Sequence, residues 1–533
     1  MVGSYRLRED QAKKEGAATP AAKPGTPVSA APAASATSGE RQLMADRAKP
    51  KVAAPPRLVS LDAYRGFIMF VLAASGFGIL QFARIDPESP VWDKNNRDNW
   101  QRIAFHFDHP AWQSNFLPSF LEKPEDPNYQ PSGFLKFGVS FWDLIQPAFM
   151  FMVGVAMPFS YARREATGHS AARRFCHAVW RAKVLVLMGV FLYSLGDKHT
   201  DWIFTNVLAQ IGLGYLFAYL LLGRKQWLQL TALGVILVGY WLAFYLHAPP
   251  TDYDYVAMND YATVEEGVEK GEIHKGKFAA WSKNANAAHW FDRRFLNLLR
   301  TLEPEVRDQN NIRADATSWS PAWLRLWLFA NDKPFISEKG GYQTLNFVPS
   351  IGTTILGILC GQLLLSSLGK WKKLGIFLIG GLLCMGLGLV AGEYACPIVK
   401  RIWTPSWVLF SGAYVIWMLA LFYFLFDVLP FRALACPLVV VGMNSIAIYM
   451  MGQLIRGWTM SNVRTHLGGF LAWVMDSETG VVPEEFKRDF SSYGAFAALS
   501  DKMYGPLILS TAAAIVFWLI AYWMYRQKFF IRV

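Results

Sequence analysis

VSFWDLIQPAFMFMVGVAMPFS, residues 139–160, decides the fold. A single carboxylate, Asp143, sits near its start, and the remainder is almost wholly apolar over the roughly 20 residues that a helix needs to cross the hydrocarbon of a bilayer. Pro147 and Pro158 interrupt the run, which membrane helices tolerate when neighbours satisfy the freed carbonyls. Working outward, the whole chain has the same character. Its 533 residues are 53% hydrophobic, 15% aromatic and 17% charged, against about 25% charged in an ordinary soluble domain. Ten apolar runs are candidate spans: 67–83, 138–161, 183–196, 203–222, 227–247, 346–366, 374–395, 405–428, 434–455 and 506–525. The expected fold is all-α, a polytopic membrane helical bundle of about ten transmembrane helices with extracytoplasmic loop insertions.

Lysine and arginine in short loops mark the cytoplasmic side. Residues 163–183, Arg224 with Lys225, Lys370 with Lys372 and Lys373, and the tail Arg526, Lys528 and Arg532 are the basic connections, and ten spans put all of them on one face with both termini. The long segments at 84–137, 248–345 and 456–505 then face outward, and they carry slightly more acid than base. The net charge of +12 is therefore topology, not a nucleic-acid patch. Residues 1–56, rich in Ala, Pro, Lys, Ser and Gly, read as a disordered cytoplasmic tail, with 57–533 as the transmembrane domain. The tail lacks the apolar core and cleavage site of a signal peptide. Of the five cysteines only Cys396 falls near the outer face, and no Cys/His spacing suits zinc, so neither a disulfide framework nor a metal is expected. The outer loops hold no Asn-x-Ser/Thr acceptor, which leans toward a bacterial inner membrane.

Ionisable and amide groups at membrane depth are costly and mark candidate sites. In RLVSLDAYRG, 57–66, Arg57, Asp62 and Arg65 read either as a positive-inside anchor with a local ion pair or as a phosphate-binding gate. In FHFDHPAWQS, 105–114, a histidine suits general-base chemistry near neutral pH, and the residues alone do not separate His109 from His106. Asp143 is either a charge favoured at a helix start or the orienter of a histidine. In VVVGMNSIAIYMMGQ, 439–453, Asn444 suits an interhelical hydrogen bond better than catalysis. KFAAWSKNANAAHWFDRRFLNLL, 277–299, reads as an amphipathic outer-face helix with His289 and Asp292 in structural contact. GGYQTLNFVPS, 340–350, leads into a span, and KRIWTPSW, 400–407, places two cations at an outer mouth against the general charge bias, facing lipid phosphate or substrate.

In order along the chain, these segments resemble the heparan-alpha-glucosaminide N-acetyltransferase family and its bacterial relatives. RLVSLDAYRG resembles the family's R-x-x-S-x-D-x-x-R-G, HPAW its H-x-x-W, and WDLIQPAFMFMVGVAM its D-L-x-x-P-x-F-x-F-x-x-G. NVLAQIGLGY, 206–215, is similar to its V-L-Q-R-x-G helix start and VGMNSIAIY to its M-N-S-I segment. Two departures fall on the acceptor side: Gln113 and Ser114 with a long insertion after Trp112, and Ala74 and Ser75 where some members carry asparagine.

The resemblance implies acetyl transfer from cytoplasmic acetyl-CoA, as co-substrate, to an extracytoplasmic sugar or amino sugar. It implies His109 as general base or acyl acceptor, with Asp143 and Asn444 as further catalytic positions. Arg57, Asp62 and Arg65 would hold CoA, and Trp112 and Asn346 would meet the acceptor. Membrane lipid and the sugar acceptor are the expected partners, with no nucleic acid and a homodimer left open. The competing class is a secondary transporter for a sugar or related polar solute, which would use the same intramembrane groups as a midplane site.

Overall fold

In this computed structural model the described residues are 57–93, 95–109, 112–114, 139–247, 249, 253–300, 327–331, 333–429, 431–466 and 504–531. The tail expected at 1–56 lies outside them, as do Pro110, Ala111 and parts of the three expected outer loops. All regular structure among the described residues is helical. The elements are α1 Val59–Ala73, α2 Ile79–Ala83, α3 Arg97–Phe105, α4 Phe141–Ala166, α5 Ala171–Tyr193, α6 Val207–Leu221 and α7 Gln226–Tyr245. Then come α8 Ala287–Leu298, α9 Phe347–Leu365, α10 Lys370–Tyr394, α11 Pro405–Tyr423, α12 Cys436–Met443, α13 Ser445–Leu454 and α14 Gly505–Arg526. Short helices at Tyr255–Asn259 and Val264–Glu269 lie between α7 and α8.

Among the described residues seven helices are long and apolar enough to cross a membrane, and nine if each bent pair forms one span. The bent pairs are α1 with Ser75–Ala83, turned by 46°, and α12 with α13, turned by 77°. With the shorter apolar α6, these elements account for the ten apolar runs, and the protein is a multi-pass membrane protein with an all-α bundle. The third run differs in extent. The apolar reading begins at 183, whereas α5 begins at Ala171, where the Ser170 side chain accepts the Arg173 N–H. Arg173, Arg174, His177 and Arg181 hide the first turns of this helix from a hydropathy count.

Burial separates a centre from a rim. Phe141–Ala166, Thr344–Leu365 and Pro405–Val428 are 78%, 72% and 61% buried along their apolar lengths, against 28% for each of Ala171–Tyr193, Gln226–Tyr245 and Lys370–Tyr394. Apolar side chains gain little from helix association in lipid, so close approach must hold the centre together. It does so through glycine. Gly357 and Gly361 of α9, spaced as G-x-x-x-G, lie against the Phe151 and Val155 carbonyls of α4, while Gly154 of α4 lies against the Thr354 carbonyl of α9. A Cβ at any of the three would overlap backbone, and the step from Phe151 against Gly357 to Val155 against Gly361 makes the two helices parallel. Their depth in the membrane is thereby tied together.

Caps fix where the central helices begin. Ser140 has extended backbone and its hydroxyl accepts the Asp143 N–H at 3.1 Å, starting α4. Thr404 does the same for Trp407 at 3.3 Å, with Pro405 at the first helical position of α11. From Pro405 the apolar helix continues through a π-helical turn to Val428, a length of about 35 Å. At its far end an Asp427 carboxylate oxygen accepts the Ser60 N–H at 3.1 Å, and Lys370 Nζ donates to the Asp427 carbonyl at 2.6 Å. The bundle thus has two polar ends joined by α11.

The glycine contact predicts a contrast between two leucines. Gly357→Leu should destabilise the detergent-solubilised protein by about 1–3 kcal/mol or more, read as a fall in melting temperature. Gly386→Leu on α10, where a side chain meets nothing within 4 Å, should leave it within experimental error of wild type.

Candidate functional site

The first polar end is assembled by three segments distant in sequence. Helix α3, capped by Asn96 accepting the Asn99 N–H at 3.0 Å, delivers residues 105–109 to the start of α4. There the His106 carbonyl accepts the Trp142 N–H at 3.0 Å, which docks this loop one residue before Asp143. Asp108 accepts the His109 backbone N–H at 2.8 Å with one oxygen and pairs with Arg84 at 2.5 Å through the other. His109 Nδ1 then lies 2.7 Å from Asp143 Oδ1. Lys400, from the turn before α11, places Nζ 2.9 Å from the same Oδ1 and 3.3 Å from Nδ1.

Each group's role is set by what it can donate. A carboxylate only accepts and an ammonium only donates. The short Nδ1 to Oδ1 contact therefore carries a proton on Nδ1, which leaves the lone pair of the neutral ring on Nε2. Exposure agrees with that division: the His109 side chain is 39% accessible, and those of Asp143 and Lys400 are 6% each. Burial opposes the charge on Lys400, but Tyr342 and the Asp143 carboxylate outweigh it, so the amine is held above its ordinary value and stays protonated. The Tyr342 ring centre lies 5.9 Å from Nζ.

A second layer braces this cluster. Arg401 donates to the Gly340 carbonyl at 3.2 Å and lies 3.6 Å from Glu272, whose other oxygen pairs with Lys283 at 2.9 Å and accepts from Tyr261. The Asn346 amide donates to the Arg401 carbonyl at 2.7 Å, the Trp112 indole to the Trp281 carbonyl at 3.3 Å, and the Ser114 N–H to the Ile398 carbonyl at 2.8 Å.

The second polar end is basic. Arg57 Nε pairs with Asp62 at 2.6 Å, and Arg65 Nη1 lies 3.8 Å from the other oxygen of the same carboxylate. Arg65 is also within electrostatic reach of Arg181, whose guanidinium lies 5.0 Å from the Tyr215 ring centre. Two guanidiniums thus share one carboxylate, and a third lies within electrostatic reach of one of them. Ser60 Oγ, Arg164 Nε and Arg181 Nε are buried here without a hydrogen-bond partner.

Among the described residues no group of three or more His, Cys, Asp or Glu side chains gathers to hold a metal ion. Residues 123–263 match the family model of the heparan-alpha-glucosaminide N-acetyltransferase catalytic region. Over that stretch the chain is similar to this family. The match covers α4 to α7, Asp143 included, and begins after His109; no curated protein matches the chain. The matched region suggests a membrane acetyltransferase, a transferase in general terms.

The structure unites some of the sequence candidates and separates others. His109 and Asp143 meet, and Arg57, Asp62 and Arg65 meet at the opposite end. Asn444 does not join His109. Its amide donates to the Phe529 carbonyl at 3.2 Å and accepts the Ile531 N–H at 3.0 Å, and the adjacent Gly442 packs on the Asp62 backbone, so Asn444 belongs to the basic end and ties down the C-terminal segment. The expected interhelical hydrogen bond is not what it makes: both partners lie in the non-helical segment after α14, and an oxyanion role beside His109 does not fit its position. Trp112 and Asn346 are 1% and 3% exposed, so both support the site from behind and present no surface to an acceptor. Lys400 was legible only as an oddity, a cation at the end where short loops are otherwise not basic.

His289 and Asp292 on α8 do not hydrogen-bond to each other: both His289 ring nitrogens and Asp292 Oδ1 lack partners. Burial pushes the Asp292 carboxyl up to about 7, only partly offset by the Thr344 N–H at 2.8 Å, and pushes His289 down to about 3. A raised carboxyl favours the folded state fully at low pH and loses that contribution as pH rises toward the folded value. Asp292→Asn, which keeps an acceptor for Thr344, should therefore gain stability relative to wild type by roughly 1–4 kcal/mol between about pH 4 and pH 7. Thermal unfolding of both proteins across that window measures the difference, and His289 contributes equally to each.

Proposed function

We propose that the protein transfers an acetyl group from acetyl-CoA to an amino sugar or sugar, with the donor's nucleotide at the basic end and the reaction at His109. The observation that carries this reading is the 2.7 Å contact between Nδ1 of the partly exposed His109 ring and the buried Asp143 carboxylate, which leaves Nε2 outside that bond. Support for the donor comes from Arg57 and Arg65 sharing one carboxylate with Arg181 in electrostatic reach, and from the unpartnered Ser60 Oγ, Arg164 Nε and Arg181 Nε atoms, a donor-rich setting suited to phosphate oxygens. Positive-inside bias makes this end cytoplasmic, with both termini, and the preferred compartment is a bacterial inner membrane.

The chemistry balances without a further reactant. The acceptor's nitrogen or oxygen bonds to the thioester carbonyl carbon as its proton passes to His109 Nε2. The carbon–sulfur bond then breaks, and the departing sulfur takes the proton back from the imidazolium. Asp143 holds the ring in the productive tautomer throughout.

Two measurements on purified protein in nanodiscs test this. His109→Ala should lower acetyl transfer from acetyl-CoA, across a panel of amino sugars and neutral sugars, by about 10²- to 10⁴-fold while CoA binding persists. Arg57→Ala with Arg65→Ala should instead weaken acetyl-CoA binding, with the remaining affinity less sensitive to salt. Absence of both turnover and CoA binding in wild type would sink the reading, and flux of a polar solute would then favour transport.

A further inference from the structure

Asp143 Oδ1 serves two donors at once, and one of them takes no part in the bond-making and bond-breaking of acetyl transfer. Lys400 is nearly as buried as Asp143 itself, so it offers no surface to an acceptor. Its Nζ faces His109 Nδ1 at 3.3 Å, a donor opposite a donor once Nδ1 carries the proton that Asp143 accepts. That contact is not an attractive hydrogen bond; it places a fixed positive charge against the ring.

The other charged and titratable groups around the imidazole come from separate elements. Asp143 lies on α4, Tyr342 on the segment before α9, and Asp108 on the histidine's own loop with its charge met by Arg84. A carboxylate alone at 2.7 Å would favour the doubly protonated ring, which cannot act as a base.

We propose that Lys400 is a positioning residue for His109: its ammonium offsets the Asp143 carboxylate, so the ring keeps its Nδ1 hydrogen bond without being held as the cation, and Nε2 remains free to take a proton. The consequence for catalysis rests on the acetyl-transfer reading; the charge balance does not. In that reaction the proton received on Nε2 must leave for sulfur, and an imidazolium beside an ammonium gives it up more readily than one facing a carboxylate alone.

The test reads protonation of His109 directly. Diethylpyrocarbonate acylates neutral imidazole, so full-length protein in nanodiscs is modified across pH 5 to 9 and the His109 peptide is quantified by mass spectrometry, with exposed His199 and His466 as internal controls. Lys400→Met should move the His109 midpoint to higher pH by about 1–2 units, and Lys400→Arg should keep it near wild type. Asp143→Asn should move it lower, and adding Lys400→Met to Asp143→Asn should bring it back up. A His109 midpoint in Lys400→Met equal to wild type, with the controls unchanged, overturns the proposal. Should Lys400→Met alone misfold, the step from Asp143→Asn to the double variant decides, because that pair of proteins leaves no buried carboxylate without its cation. Acetyl transfer assayed alongside separates the two readings: shifted midpoints without turnover in wild type would leave the charge balance standing and remove the enzyme.

Discussion

The buried carboxylate of Asp143 is the constraint on which this end of the molecule turns. Removing a carboxylate from water costs several kcal/mol even after relaxation, and the cost is tolerated only when donors of good geometry surround it. Here one donor comes from the turn before α11 and the other from the loop after α3. Three pieces of chain far apart in sequence must therefore arrive together, and none can shift without leaving a charge unpaired. The parallel contact of α4 with α9 extends the same requirement inward. It fixes the depth of the helix that carries Asp143 against the helix that follows Tyr342 and Asn346.

Much of the architecture was readable from the chain because a bilayer imposes a coarse and repetitive rule. Apolar length gave the all-α bundle, and it failed only where a helix carries charge inside its own span. The start of α5, with Arg173, Arg174 and Arg181, is helical for reasons of capping and depth that hydropathy does not record. The site was half legible. His109 and Asp143 could be proposed as a pair because family resemblance singled out one histidine of two. Trp112, Asn346 and Asn444 could not be placed, since a tryptophan or amide in sequence looks the same whether it faces a ligand or a backbone carbonyl. Only tertiary structure showed the indole behind the site and Asn444 at the other end. Lys400 was visible as a breach of the charge pattern, and its partners were not, because pairing across 257 residues leaves no local trace.

The two polar ends have opposite characters. At the histidine end each charge of the cluster has a counter-charge close by, and the side chains are mostly buried. At the basic end guanidiniums outnumber carboxylates and buried donors lie idle. A balanced end suits chemistry on neutral groups, whereas a donor-rich end suits anions. α11 joins the two through a closely packed centre, while α5, α7 and α10 turn most of their apolar surface outward.

The first span is held at two levels. Gly66 lies against the Leu438 carbonyl of α12, and Gly78 against the Pro506 carbonyl at the start of α14, where the left-handed backbone of Ser75, Gly76, Phe77 and Gly78 breaks the helix. Gly76 within that break packs on Phe107, two residues before His109. One added residue between the pins would swing the later contact round by about 100° and along by about 1.5 Å. The number of residues there is consequently fixed even where their identity is not. Lineages of this chain should tolerate substitution in the first span and reject insertion or deletion, so its length in an alignment would be a sharper signature of a working histidine loop than its composition.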